Sequence, residues 1–223
     1  MKRTLSLLLL LWAVILGACS SDEPEIVEPV PVGDEWIDPI FAQVLQERGY
    51  IANAKTVTPL DIADIETVNI SGEWNNHGPI KSVRGLSYFT SLKKFTCSYN
   101  QLTALDVSKN TQLTQLVCST NPLANLDVSN NTKLTDLSCN ANKLVRLDVS
   151  KNTLLTYLEC GNNQVTVLDI SNNTKLDRLG CRNNELTSLD LSNNIQLTEL
   201  NCGNNDLTSL DLSNNIQLTE LAC

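Results

Sequence analysis

Apolar and polar residues alternate with a period of 21 along residues 92–223, and this period does not slip. Counted from the first leucine of each unit, positions 1, 4, 6, 11, 14 and 16 are apolar almost throughout. In the second unit these are Leu113, Leu116, Cys118, Leu123, Leu126 and Val128. A fixed period of this length predicts a solenoid, in which each coil buries its apolar side chains only against its neighbours.

Each unit consists of two similar halves, LxxLxCxxN and LxxLDxSxN. Because sequences such as LDVS and LDLS favour an extended backbone, we predict a short strand on both sides of each coil. Asparagine ends each half, where the backbone turns inward and needs hydrogen-bond partners. Stacked coils repeat about every 4.8 Å, so we predict that the amides bond along the stack as ladders. These residues are Asn100, Asn121, Asn142, Asn163, Asn184 and Asn205 in the first half and Asn110, Asn131, Asn152, Asn173, Asn194 and Asn215 in the second.

The 21-residue frame, as in LTQLVCSTNPLANLDVSNNTK from 113 to 133, resembles the bacterial form of the leucine-rich repeat. The resemblance implies a right-handed leucine-rich-repeat solenoid of the α/β horseshoe class, here strand-dominated. Residues 92–223 then comprise six 21-residue repeats plus a truncated seventh. The looser spacing of IKSVRGLSYFTSLKKFTC, from 80 to 97, is similar to internalin-like repeats, and we assign residues 65–91 to irregular leucine-rich coils.

Residues 36–64 are predicted to form a small helical N-terminal cap, which would cover the apolar end of the solenoid. In DPIFAQVLQERG, from Asp38 to Gly49, the apolar residues fall on one helical face between an early proline and a terminating glycine. A second helix is expected from Thr58 to about Asp64, with threonine as the N-cap and proline in the first turn. The stretch ERGYIANAKTVTP between them is poor in carboxylates, so we expect no calcium site there.

The N-terminus predicts export and anchoring. Residues 1–18 combine two basic residues with an apolar run, as in a secretory signal. The sequence LGAC ending at Cys19 resembles the lipobox of bacterial lipoproteins, which implies a lipoprotein signal peptide and lipidation of Cys19; an ordinary secretory peptide is the alternative. Residues 19–35 are an acidic, Pro-rich tether. Serine and acidic residues after Cys19 also resemble the export signal of Bacteroidetes lipoproteins, which implies an outer-membrane anchor facing outside the cell rather than the periplasm.

Composition argues against several classes of function. The chain has 25 Asp and Glu against 16 Lys and Arg, a formal net charge of −9, which disfavours nucleic acids and anionic lipid surfaces as partners. It has one histidine and lacks a Ser-His-Asp spacing, a glycine-rich phosphate loop and a cluster of metal ligands. We therefore predict no enzymatic activity, no catalytic residue, no bound metal and no cofactor.

Position 6 is cysteine in every unit, namely Cys97, Cys118, Cys139, Cys160, Cys181, Cys202 and Cys223. This position points inward, where cysteine behaves as a small hydrophobic residue, so we predict a row of buried free thiols. Side chains on adjacent parallel strands point the same way, a poor geometry for a disulfide. Scattered disulfides are the first alternative, and metal binding is the second.

Position 15 is aspartate in each complete unit, namely Asp106, Asp127, Asp148, Asp169, Asp190 and Asp211. Carboxylates about 5 Å apart repel one another unless they are compensated. We expect each to accept hydrogen bonds from the serine two residues later or from the backbone of the next turn. A row of weak calcium sites is the alternative.

The resemblance also implies that a ligand meets the concave sheet, whose outward positions differ from unit to unit while the frame does not. The predicted partner-binding patch is Tyr99, Gln115, Val117, Asp136, Tyr157, Glu159, Arg178 and Arg182. Aromatic and arginine side chains are common anchors of protein interfaces. We predict a lipid-anchored surface protein that binds another protein, in adhesion to host or neighbouring cells. The alternative is a structural or glycan-binding accessory lipoprotein of the envelope, for which Trp74 and His77 are the candidate contacts.

Overall fold

The computed structural model describes residues 36–223, and the predicted signal peptide, Cys19 and tether lie outside them. Two helices precede the solenoid, α1 (Pro39–Glu47) and α2 (Pro59–Ile62). The side chain of Asp38 caps α1 by accepting hydrogen bonds from the amides of Ile40 and Phe41 at 2.9 and 3.1 Å. Both predicted helices are therefore present. No helix in the described part of the chain is long and apolar enough to cross a membrane.

Eight three-residue strands form one parallel sheet in which the spatial order follows the chain. They are β1 (Thr67–Asn69), β2 (Lys94–Thr96), β3 (Gln115–Val117), β4 (Asp136–Ser138), β5 (Tyr157–Glu159), β6 (Arg178–Gly180), β7 (Glu199–Asn201) and β8 (Glu220–Ala222). From β2 onward each residue pairs with the residue 21 positions later, as Leu116 pairs with Leu137. A short 3₁₀ helix, Leu86–Tyr88, lies between β1 and β2. The predicted solenoid of stacked 21-residue coils is confirmed.

The core is a set of rows that run through the stack. Leu116, Cys118, Leu123 and Val128 have no solvent exposure, and the equivalent residues of the neighbouring coils are equally buried. Burial of whole rows supplies the apolar contact that a single coil lacks, because each coil covers the next.

The asparagine bonds run along the stack as predicted, but to main-chain groups instead of other amides. Asn121 Nδ2 donates to Cys97 O of the preceding coil at 3.0 Å and to Cys118 O of its own coil at 3.1 Å. Its Oδ1 accepts from the amide of Leu102 at 3.0 Å. Main-chain carbonyl groups at the inward corner have no water as a partner, so they accept hydrogen bonds from the asparagine side chains.

The prediction of a strand in the second half of each coil is wrong. Among the described residues this side forms one bridge, between Asp106 and Asp127, and no strand. The cause is the aspartate side chain, because Asp127 Oδ1 accepts the amide hydrogen of Ser129 at 2.9 Å. A side chain that takes a local backbone donor competes with a strand ladder for it.

The cysteines of the repeat units are free as predicted, and burial is confirmed for six of the seven but is wrong for the last. Cys97, Cys118, Cys139, Cys160, Cys181 and Cys202 are free and buried, whereas Cys223 is free and exposed. Burial raises the pKa of Cys118 to about 12, so this thiol stays protonated at neutral pH.

Candidate functional site

The first and third residues of β2 to β8 point away from the core, and we call this surface the outer face of the sheet. In β3, β4, β5 and β7 the middle residue is buried while its two neighbours are partly exposed. Six of the eight predicted partner-binding residues lie on the outer face: Gln115, Val117, Asp136, Tyr157, Glu159 and Arg178. The alternation of a strand thus presents them side by side, about 4.8 Å apart from one strand to the next.

A row of polar side chains crosses the middle of the outer face. The strand register pairs Asp136 with Tyr157, Tyr157 with Arg178, and Arg178 with Glu199. Arg178 Nε lies 3.2 Å from Glu199 Oε1 and 3.7 Å from Asp177 Oδ2. The guanidinium is half exposed, so these ion pairs orient Arg178 and add little to the stability of the fold.

Tyr157 lies among charges at the centre of this row. Partial burial raises the pKa of its phenol, and the carboxylate of Glu159 raises it further, while the nearby Arg178 guanidinium acts in the opposite direction. The phenol therefore stays neutral over the physiological range and can donate one hydrogen bond. Tyrosine and arginine are among the side chains that most often anchor protein interfaces, and here the two lie on adjacent strands.

Glu159 folds over the neighbouring strand instead of extending into solvent. A β-carbon at Gly180 would overlap its carboxylate, so the missing side chain leaves a notch that Glu159 fills. Asn140 Nδ2 donates to Glu159 Oε2 at 3.2 Å, and Asn140 Oδ1 accepts from the amide of Gly161 at 2.6 Å. These contacts give the carboxylate a fixed position on the outer face.

Three of these residues, Asn140, Gly180 and Glu199, were not singled out by the sequence analysis. Gly180 carries a usable signal, since it is the only glycine at the third position of β2 to β8. The other six strands have Thr96, Val117, Ser138, Glu159, Asn201 and Ala222 there. The pairing of Arg178 with Glu199 follows from the register alone, because the two residues are 21 positions apart.

Two predicted residues lie at the corner beyond the strands. Arg182 is exposed, and its Cγ would be 3.2 Å from a β-carbon at Gly161, so its stem passes beside Gly161. Tyr99 follows β2 with a left-handed φ of 54°. It is separated from β5 by three strand spacings, about 14 Å. Its ring instead contacts those of Trp74 and His77, with centroids 6.3 and 5.8 Å away. Tyr99 therefore belongs to a second cluster.

The aspartate row is compensated locally, as expected. In each complete unit the amide of the serine two residues later donates to Oδ1, as Ser150 does to Asp148 at 2.9 Å. The serine hydroxyl and amide together lower the pKa of Asp148. Within residues 36–223, no group of three or more His, Cys, Asp or Glu side chains is arranged to hold a metal ion.

Comparison with solved structures gives the architecture a name. Over 85% of this chain and 46% of the other, it is similar to the functional domain of InlJ from Listeria monocytogenes, which includes a cysteine ladder, with 38% identity and a TM-score of 0.70. The fold is a leucine-rich-repeat solenoid. This solenoid is also similar to the leucine-rich-repeat protein LIC12759 of Leptospira interrogans, with 25% identity over 70% of this chain and 42% of the other and a TM-score of 0.61.

A third likeness concerns the fold alone. Internalin C2 from Listeria monocytogenes is matched over 90% of this chain and 100% of its own, with 22% identity and a TM-score of 0.62. No protein-family model and no curated protein matches the chain. The structural neighbours are thus internalin-like leucine-rich-repeat proteins, and the solenoid described here spans about half the length of the InlJ domain.

Proposed function

We propose that the outer face of the sheet binds another protein and that the chain is an interaction module of the bacterial cell surface. The observation that supports this most is the row Asp136, Tyr157, Arg178 and Glu199, in register on four adjacent strands. The strands fix the spacing of the four residues, and an ion pair holds Arg178 to Glu199, so the conformational entropy lost when a partner binds is reduced. The structural likeness to internalin-like leucine-rich-repeat proteins points the same way.

The size of the outer face indicates how a partner contacts it. Strands of three residues are about 10 Å long, and the six intervals of about 4.8 Å from β2 to β8 give an area of roughly 290 Å². A stable protein interface buries about 800 Å² on each side. A partner must therefore also cover the corner beyond the strands, where Arg182 lies.

The charges on the outer face indicate which charges a partner would present. Asp136, Glu159 and Glu199 outnumber the guanidinium of Arg178 near the centre of the row. A partner that places a basic side chain near Glu159 and an acidic one near Arg178 would complement both charges. Adhesion to a protein of the host or of a neighbouring cell is the role that we propose for this contact.

Lipid anchoring is the second part of the proposal. Cys19 would be the lipidated N-terminus of the mature chain, residues 19–35 the tether, and the outer membrane the site of attachment, with the solenoid facing outside. The test is expression of the full chain and of Cys19→Ser, followed by mass spectrometry of the N-terminal peptide and protease treatment of intact cells. A lipid-modified peptide and cleavage of the solenoid on intact cells would support the proposal, whereas an unmodified or protease-protected chain would refute it.

The binding proposal is tested with a soluble form that lacks residues 1–18 and carries Cys19→Ala. This protein is immobilised and exposed to solubilised host matrix proteins, beside the double variant Tyr157→Ala/Arg178→Ala. The matched control, Lys143→Ala/Glu185→Ala, removes two exposed charged side chains outside the sheet. Capture that is lost in the first double variant and kept in the second supports the proposal. Capture that is equal in both, or absent from the unmodified protein, contradicts it.

A further inference from the structure

Trp74 is an exposed aromatic residue next to two others. Its side chain is 81% exposed at the tip of the loop 72–79. The Trp74 ring meets that of Tyr99 edge-on, at 6.3 Å and 85°, and the His77 ring meets Tyr99 at 5.8 Å and 72°. Tryptophan is largely buried in most proteins, so a ring left in water beside two further rings indicates a contact surface.

The loop that presents Trp74 is rigidly attached to the sheet. Glu73 and Asn76 exchange two main-chain hydrogen bonds of 3.0 and 3.1 Å, which close a tight turn around Trp74. The amide of Gly72 donates to Ser98 O at 2.9 Å, and the amide of Gly78 donates to Tyr99 O at 2.7 Å. A β-carbon at Gly72 would overlap Tyr99 O, so glycine permits this close approach. The backbone that carries Trp74 and His77 is thus held in place before any ligand arrives.

A cavity of about 450 Å³ adjoins the loop between the end of α1 and the first coil. Its polar lining includes Glu47, Arg48, Glu73, Asn76, His77 and Gln101. The Arg48 guanidinium is fixed by a 2.7 Å hydrogen bond to Ser71 O, which leaves other N–H groups for a ligand. His77 both lines the cavity and touches Tyr99, so the cavity and the rings are continuous. The volume lies in the range of small-ligand sites.

We propose that the loop 72–79 and this cavity bind a neutral oligosaccharide, at a site separate from the outer face of the sheet. A sugar ring has apolar C–H faces that pack on Trp74, and its hydroxyl groups both donate and accept. The carboxylates, amides and guanidinium of the cavity offer the complementary acceptors and donors. Two acidic side chains and one basic side chain line the cavity, and the chain carries a net charge of −9, so an anionic glycan is disfavoured.

A protein is a weaker candidate for this site. A stable protein interface needs about 800 Å² per partner, with several anchors around a packed centre. The loop offers one protruding indole, and other residues of the same loop line a small polar cavity, an arrangement that suits one or two sugar rings. If Trp74 instead contacts a protein, the experiment below will show it.

The experiment uses the mature chain with Cys19→Ala and an array of neutral and acidic glycans, followed by titration with any neutral oligosaccharide bound. Removal of residues 1–18 leaves Trp36 and Trp74 as the two tryptophans, and Trp36 is 8% exposed. A bound sugar should therefore shield Trp74 from quenching by acrylamide. Trp74→Ala should weaken binding at least tenfold with an unchanged melting temperature, and Gln101→Ala should weaken it several-fold.

The variant Tyr157→Ala/Arg178→Ala should bind the sugar normally, which separates this site from the protein-binding surface proposed above. The inference is overturned if no neutral glycan binds, if binding survives Trp74→Ala, or if Trp74→Ala abolishes capture of a protein while no glycan binds.

Discussion

The carboxylate of Glu159 occupies the space that a β-carbon would need at Gly180. One residue thus fills a notch that its neighbour on the next strand leaves open, and Asn140 holds the carboxylate there at 3.2 Å. The outer face of the sheet owes its local shape to this relationship between two strands.

Gly180→Ala should displace the Glu159 carboxylate without unfolding the protein. The atoms that would overlap the new β-carbon belong to the end of the flexible Glu159 side chain, which can move away. Replacing glycine also lowers the conformational entropy of the unfolded chain, which offsets part of the free energy lost with the hydrogen bond from Asn140. We expect a change of less than about 1 kcal/mol in the free energy of unfolding. NMR should show a shifted side-chain amide signal for Asn140. The control is Asn201→Ala, at the equivalent position of β7; a loss above about 3 kcal/mol in Gly180→Ala alone would show that backbone packing requires the glycine.

Asn131→Ala should destabilise the solenoid by about 2–4 kcal/mol, because two buried carbonyl groups lose their donor. Asn131 Nδ2 donates to Val107 O at 3.0 Å and to Asn110 O at 2.9 Å. The neighbouring Asn130 is exposed, so Asn130→Ala is the matched control and should change stability by less than about 0.5 kcal/mol. Urea unfolding of the two variants measures the difference. Equal midpoints would contradict the structural role of Asn131.

The sequence predicts the frame of this protein better than its surface. The period of Leu116, Cys118 and their equivalents is sufficient to predict stacked coils, because burial repeats with the same spacing. The second row of strands could not be predicted from propensity, since the Asp127 side chain takes a backbone donor that a ladder would need. The place of Tyr99 depends on a loop some 20 residues earlier in the chain, and no local pattern encodes its contact with Trp74.

Ala141→Asn should stabilise the fold by about 0.5–1 kcal/mol. Ala141 has a left-handed φ of 53°, and the next three coils have asparagine at this position, which tolerates that conformation well. Asn183 also donates to Asn162 Oδ1 at 2.7 Å, so a new amide at 141 lies next to an existing chain of amides. Ala141→Val should instead destabilise, because a branched side chain is strained at positive φ. Thermal melting checks both signs, and a more stable valine variant would contradict the argument.

Stability should fall as the pH rises above about 9, the ordinary pKa of a thiol. The pKa of Cys118 and of Cys160 is raised to about 12 in the folded chain because burial disfavours the thiolate. The unfolded chain therefore loses protons first, so this contribution is complete below pH 9 and is lost progressively towards pH 12.

The control for this pH dependence is Cys118→Val/Cys160→Val, which removes two of the titrating groups. Its fall in unfolding free energy between pH 9 and 10.5 should be shallower by up to about 1.4 kcal/mol per pH unit for each thiol. Tyrosine and lysine titrate equally in both proteins, so the comparison isolates the thiols. Parallel slopes would show that the cysteines titrate freely in the folded state.

Counting reactive thiols in the native protein tests the stacking of the coils most directly. With Cys19→Ala the chain keeps the seven cysteines of the repeat units, of which six are buried and Cys223 is exposed. A colourless disulfide reagent that releases a coloured thiolate should report one fast reaction per chain at pH 8, and seven once guanidinium has unfolded the protein. Several fast reactions in the native protein would place the sulfur atoms in solvent and contradict the fold on which both proposed binding sites depend.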